Sequence, residues 1–235
     1  MQPSEMSTTE RLKHVVISMS RALHLETRHV NGRYSTAQRV DEIAAEAILD
    51  QWPTLPKKIA RQIIERYDLP HEITVSRMMW YATGPWKRTV VHRDEVPHHF
   101  PTPHVDALEQ TLDYRVPLEK CDALLAFDGS ILIDRTKGEI TVRCDMEAMN
   151  VLTANLMHDV VTGTRTVEEA RRAYADMASA FAMGRSAPDT ERLRFDAPHG
   201  MTADADRSMI AGALLHQVGQ SFKGIFHRTH REVLP

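Results

Sequence analysis

The sequence predicts an α+β fold: N-terminal helices, a mostly antiparallel four- to five-stranded sheet, a covering C-terminal helical pair and an appended C-terminal helix. Three observations carry this prediction. Apolar residues recur at helical spacing between residues 12 and 64. The period drops to two over residues 75–93 and 131–144. Helical spacing returns between 146 and 181.

Leu12, Val15, Val16, Met19, Ala22 and Leu23 line one face of a helix from Thr8 to His24. Glu26 to Ser35 is polar, contains Gly32 and reads as a loop. Thr36 caps a second helix bearing Val40, Ile43, Ala44, Ala47 and Ile48, which Pro53 ends. Pro56 suits the first turn of a third helix, with Ile59, Ile63 and Ile64 inward.

Val75, Met79 and Tyr81 then alternate with Ser76, Met78 and Trp80, which is strand spacing. Thr83-Gly84-Pro85 turns the chain into a second strand, Trp86 to Arg93. Three prolines between Pro97 and Pro103 exclude a helix interior or a central strand, so Pro97 to His104 reads as a rigid extended loop. Leu108, Leu112, Tyr114 and Val116 alternate as a third strand, although Val105, Leu108 and Leu112 also fit a helix. Pro117 opens a short helix with Leu118, Cys121, Leu124 and Leu125 inward.

Ile131 to Thr136 and Glu139 to Cys144 flank Lys137-Gly138, the signature of a two-residue hairpin loop. That register sets Ile131 opposite Cys144, Ile133 opposite Val142 and Arg135 opposite Ile140. Asp145 caps a helix bearing Met146, Met149, Leu152, Leu156 and Val160, closed by Gly163. Thr166-Val167-Glu168-Glu169 is a capping box that opens its antiparallel partner, which runs to Gly184.

Residues 1–184 form the core domain in this reading, 185–202 a linker and 203–235 a helical appendage. Ile210, Leu214, Val218, Phe222 and Ile225 give the appendage a narrow apolar stripe, and Gly212, Gly219 and Gly224 weaken it. It needs the body of the protein or another subunit to stay folded, so a homo-oligomer or a protein partner is expected.

Composition narrows the classes of function. The 235 residues are 42% hydrophobic and 26% charged, ordinary values for a globular core, with a formal net charge of −3. That balance offers no basic face for nucleic acid or an anionic membrane. Two cysteines make no disulfide scaffold, and no apolar run has the length of a membrane span or the form of a leader. A cytoplasmic protein with reduced thiols is expected.

The 13 histidines are the one oddity of composition. Seven candidate ligands fall in one stretch: His92, Asp94, Glu95, His98, His99, His104 and Asp106. Imidazole and carboxylate are the usual ligands of divalent transition metals, and a proline-stiffened loop lowers the entropy cost of ordering them. His92, His98, His99 and His104 are the candidate metal ligands. His98 and His99 are adjacent and point apart in an extended chain, so one of them at most joins a shared ion. The plainer reading is a polar loop whose histidines are solvated or stack on Phe100.

A second candidate set is Arg77, Trp86 and Arg88, with Lys87 and Arg93 nearby. Guanidinium groups beside an indole suit an anionic ligand, and a solvated strand face is the competing reading. Asn150, Asn155, His158 and Asp159 flank the apolar stripe of their helix as pocket liners or as its wet shoulder. Cys121 and Cys144 read as small core residues, because no lysine or histidine is adjacent to activate either. Glycine-rich phosphate loops and the GxSxG elbow are absent.

The sequence therefore supports two functions. One is a metal- or ligand-binding protein or small enzyme, with its site at residues 92–106. The other is a non-catalytic interaction protein that uses the C-terminal helix and the open sheet face.

Overall fold

Strand-forming residues between 72 and 144 assemble into a six-stranded antiparallel sheet, and helices cover it. The computed structural model describes residues 6–28, 37–197 and 202–209. The chain divides into two units, one spanning Arg33–Ala205 and the other containing α1 (Thr8–Arg28). The first unit carries the sheet and the candidate site. Its elements are α2 (Glu42–Leu49), α3 (Thr54–Tyr67), β1 (Glu72–Thr74), β2 (Arg77–Thr83), β3 (Trp86–His98), β4 (His104–Asp113), α4 (Cys121–Phe127), β5 (Leu132–Asp134), β6 (Glu139–Cys144), α5 (Glu147–Thr162) and α6 (Val167–Ala182). The α+β class is as the sequence predicts. The sheet order is β1-β2-β3-β4-β6-β5.

Two apolar clusters lie on the sheet. Met78, Trp80, Val91 and Leu108 pack against Ala45, Leu49, Ile59 and Ile63 from α2 and α3. Leu112, Ile140, Val142 and Cys144 pack against α4, α5 and α6. Each fully buried large side chain stabilises the fold by roughly 1.5–3 kcal/mol. A polar relay runs beside them: Asn150 Nδ2 donates to Gln110 Oε1, and Gln110 Nε2 donates to Thr89 Oγ1.

Glu147 ties the helical layers to the sheet. Its Oε1 accepts from Tyr67 Oη and Trp86 Nε1, both at 2.6 Å, and its Oε2 lies 3.2 Å from the Arg66 guanidinium. A buried carboxylate needs such partners, because desolvation alone would expel it. It also sits in the first turn of α5, where negative charge meets the positive end of the helix dipole.

Several expectations are corrected. The sheet has six strands rather than four or five, because a tight turn at Val75-Ser76 separates the three-residue β1 from β2. The expected loop from Pro97 to His104 is trimmed at both ends: Pro97 and His98 belong to β3 and His104 to β4, with Val96, Pro97 and His98 paired to Asp106, Val105 and His104, and residues 99–103 form the loop. Beyond Arg93, β3 outruns β2 and pairs with β4 alone, so Pro97 faces a sheet edge where its missing N–H costs no ladder bond. The expected third strand is present as residues 104–113, not as the helix that Val105, Leu108 and Leu112 also fit, and it ends before Tyr114 and Val116.

The β5–β6 register also differs. Ile133 lies opposite Ile140 and Asp134 opposite Glu139. The connection is therefore the four-residue Arg135–Gly138, and the Asp134 carboxylate accepts from Thr136 Oγ1 and Lys137 N. Asp41, not Thr36, caps α2, and Thr36 lies outside the described residues. Met146 rather than Asp145 takes the cap position of α5, with no side-chain bond there. The Thr166–Glu169 capping box forms at the start of α6.

Residues 185–197 contact α5 through polar hooks. Asn155 Nδ2 donates to the carbonyls of Asp189 and Arg192, and its Oδ1 accepts from Arg194 N. Asp159 pairs with Arg165 and Arg194 at 2.6 and 2.7 Å. Of the expected C-terminal helix, residues 203–209 carry no helix or strand, and its apolar stripe lies outside the described residues. Among the described residues no helix is long and apolar enough to cross a membrane.

Candidate metal centre

The site grows out of a register shift. The β3–β4 ladder breaks between Val91 and Val96 and resumes so that His98 faces His104 directly. His104 and Asp106 are two apart on β4, and strand geometry puts alternate side chains on one side. His98, directly across the ladder, shares that side. Backbone pairing alone thus brings two imidazoles and a carboxylate to one face of a hairpin end.

One ligand atom from each of His98, His104 and Asp106 lies within 4.8 Å of the others. Asp106 Oδ1 is 3.5 Å from His98 Nδ1 and 3.4 Å from His104 Nε2. Two ligands bound at about 2.1 Å to a tetrahedral or octahedral ion stand roughly 3.0–3.4 Å apart. Both distances to Asp106 suit a shared divalent first-row ion.

The far side of each ring is also engaged. His104 Nδ1 lies 2.8 Å from the Thr102 carbonyl oxygen, which fixes the proton on Nδ1 and aims Nε2 at Asp106. His98 Nε2 lies 3.7 Å from Asp128 Oδ1. The same oxygen accepts from Ser130 N and Ser130 Oγ, so the carboxylate is held in place. A carbonyl or carboxylate behind each imidazole is the usual outer shell of a histidine ligand. Phe100 packs near His98 and against Phe127 and Tyr174, with the Arg171 guanidinium 3.8 Å above its ring.

The Asp106 carboxylate beside Nε2, reinforced by Cys144, pushes the His104 imidazolium up to about 11. Burial pushes the Cys144 thiol up and the Tyr174 phenol well up. His98 Nδ1 and Asp106 Oδ1 remain buried, with no well-formed hydrogen bond among the described residues.

The structure separates the other sequence candidates from this group. His92 lies across the register break, with Nε2 3.4 Å from Glu109 Oε2. His99 is exposed. Trp86 is buried and donates to Glu147. Arg88 binds Glu139 and Thr111, at 3.0 and 3.3 Å. Arg77 is exposed and pairs with His92 in the β2–β3 ladder. Lys87 sits between Asp113 and Glu139, at 2.7 and 2.8 Å. A cleft of about 420 Å³ beside Arg88 is also lined by Glu109, Asp134, Arg135, Lys137 and Glu139, so both signs of charge face it.

Asp128 and Cys144 escaped the sequence reading as site residues. Asp128-Gly129-Ser130 carries a local signal, an aspartate poised to accept from the backbone two residues on. Cys144 carries none, because only the β4–β6 pairing brings it near His104. Scans of protein-family models, curated proteins and solved structures find nothing that matches this chain.

Proposed function

We propose that this chain is a metal-binding protein holding a divalent first-row transition ion through His98 Nδ1, His104 Nε2 and Asp106 Oδ1. The observation that carries the reading is the pair of buried atoms without hydrogen bonds, His98 Nδ1 and Asp106 Oδ1, 3.5 Å apart beside His104. Buried polar atoms without well-formed hydrogen bonds are costly, and a shared cation satisfies both. Two imidazoles and one carboxylate suit zinc, iron, manganese, cobalt or copper better than magnesium or calcium, which favour all-oxygen shells. The free thiols of Cys121 and Cys144 fit a reducing compartment such as the cytoplasm.

The test is metal content by mass spectrometry of tag-free protein purified without chelator, beside a His98→Ala/Asp106→Ala variant. Near-stoichiometric metal in the parent and none in the folded variant supports the reading. Equal metal in both, or none in either after incubation with zinc, cobalt and manganese, ends it.

A second reading, protein–protein contact, is favoured by α1. Ile17 and Leu23 on this helix are 64% and 62% exposed, and Val15 is 46% exposed. Apolar side chains grouped on one helix invite a second copy or another protein. Light scattering on the full chain tests this: a dimer that Ile17→Glu dissociates supports it, and a concentration-independent monomer removes self-association.

A further inference from the structure

Resting on the metal reading above, we propose that the ion presents an exchangeable side to solvent and that the site is a receptor for a small oxyanion, a carboxylate or a phosphoryl group, which enters by displacing metal-bound water. His104 and Asp106 hold alternate positions of β4, and His98 faces His104 across the ladder, so all three donors share one side of one hairpin end. They therefore meet an ion from one direction. A tetrahedral ion held in this way has one position left, and an octahedral ion has three adjacent ones, all turned away from the strands. The protein does not close over the two rings: the His98 and His104 side chains keep 18% and 13% exposure, against 5% for Asp106.

A structural centre would be closed by a fourth protein ligand. Among the described residues no further histidine, cysteine or carboxylate lies within the 4.8 Å spacing that unites these three. Asp128 Oδ1 approaches His98 at Nε2 rather than at the ligating Nδ1, and it already accepts from Ser130 N and Ser130 Oγ. The Cys144 thiol donates to Asp145 Oδ1 at 3.5 Å. Two neutral imidazoles and one carboxylate leave part of a divalent ion's charge uncompensated, so an anion gains more by entering than a neutral ligand does. Oxygen donors suit the zinc, iron and manganese that this mixed set of ligands favours. An oxyanion held there is polarised by the ion, as Lewis-acid chemistry requires.

The full chain is loaded with an equimolar amount of cobalt(II) chloride, and its visible ligand-field bands are followed while sodium azide, a small monoanionic probe, is added. Cobalt retained after desalting is measured by mass spectrometry. The expected result is a saturable shift of the bands with cobalt content unchanged. Sodium acetate and sodium methylphosphonate are then added separately to the azide-treated protein. Reversal of the shift by acetate alone identifies a carboxylate ligand, by methylphosphonate alone a phosphoryl ligand, and by both a general oxyanion site. His98→Ala/Asp106→Ala should bind no cobalt and show no response to azide.

Cobalt held with bands that azide does not move overturns the exchangeable side and leaves the three-ligand centre standing. Azide that strips the cobalt overturns it as well, because anion and protein then compete for the ion instead of sharing it. A shift that neither oxyanion reverses overturns the oxyanion assignment. An azide response that persists in the double variant places the cobalt elsewhere and overturns both readings, as does a wild type that binds no cobalt. If the double variant does not fold, Asp106→Asn takes its place as the control.

Discussion

His98 Nδ1 and Asp106 Oδ1 stand 3.5 Å apart across the β3–β4 ladder, both buried and neither hydrogen-bonded among the described residues. An ion between them would be bound by the folded chain and not by the unfolded one. Such linkage adds about 2.7 kcal/mol of stability at a free metal concentration near 100 times Kd. Zinc should therefore raise the Tm of the wild type, and a chelator should reverse the gain. In Asp106→Asn, which keeps the shape and loses the charge, the zinc-dependent rise should disappear. An equal rise in both proteins would show that zinc binds elsewhere.

Glu147 holds Tyr67, Trp86 and Arg66 at one carboxylate. Removing it leaves a buried indole N–H and a half-buried phenol without an acceptor, the indole costing about 1–3 kcal/mol and the phenol less. Glu147→Ala should lose roughly 3–5 kcal/mol in urea unfolding, the range for breaking a buried charged network. Glu147→Gln keeps an acceptor oxygen and should lose less. A loss below about 1 kcal/mol for Glu147→Ala would place it with ordinary surface changes.

Asn155 offers both N–H donors and its carbonyl to the segment from Asp189 to Arg194. No apolar side chain of similar size can replace three directed bonds. Asn155→Leu should therefore release this segment and expose Arg192 and Arg194 to trypsin, while the sheet stays intact by circular dichroism. Unchanged cleavage kinetics would mean that the Asp159–Arg194 pair suffices alone.

Gly138 has φ +66°, and a Cβ there would collide with the Thr202 carbonyl group. Thr202 Oγ1 donates to the Gly138 carbonyl, and Asp204 N donates to that of Arg135. Alanine would meet both a left-handed backbone, costing roughly 1–2 kcal/mol, and a backbone neighbour that must move. Gly138→Ala should lower stability and accelerate hydrogen exchange at Asp204 N. Unaltered exchange there would show that the turn alone absorbs the strain.

The α+β class was legible because the apolar period changes twice along the chain, and most elements could be placed from it. Fine register was not. Lys137-Gly138 resembles a two-residue loop, yet the Asp134 carboxylate, by capping Lys137 N, fixes a four-residue turn and slides the strands. His98 and His104 could be named from composition and spacing. Which histidines share a point depended on the shift after Val91, which excludes His92 and which no local pattern announces. Asp128 and Cys144 come from other elements, and sequence distance hides their approach. Asn155 looked like a wet helix shoulder, because the residues it binds lie more than 30 positions away.

His158 provides a titration that can be read in stability. Its Nδ1 lies 2.9 Å from Tyr114 Oη, and its ring stacks on Phe195 at 4.3 Å. Burial, helped by the positive charge of Arg194, lowers its pKa below the ordinary histidine value, so the folded state prefers neutral imidazole. Neutral Nδ1 accepts the Tyr114 proton, and burial holds that phenol up to about 12, so Tyr114 remains the donor. When the folded pKa is depressed, the unfolded chain takes up the proton first as pH falls. The stabilising contribution is thus complete above about pH 6.5 and declines as pH drops toward the folded pKa. His71, also lowered by burial, acts in the same direction. His158→Gln keeps a side chain able to accept from Tyr114 and cannot titrate. Urea midpoints measured at about pH 7.5 and about pH 5.5 should fall more steeply in wild type than in His158→Gln, because only the wild type carries the His158 titration. Parallel slopes in the two proteins would mean that His158 has the same proton affinity folded and unfolded.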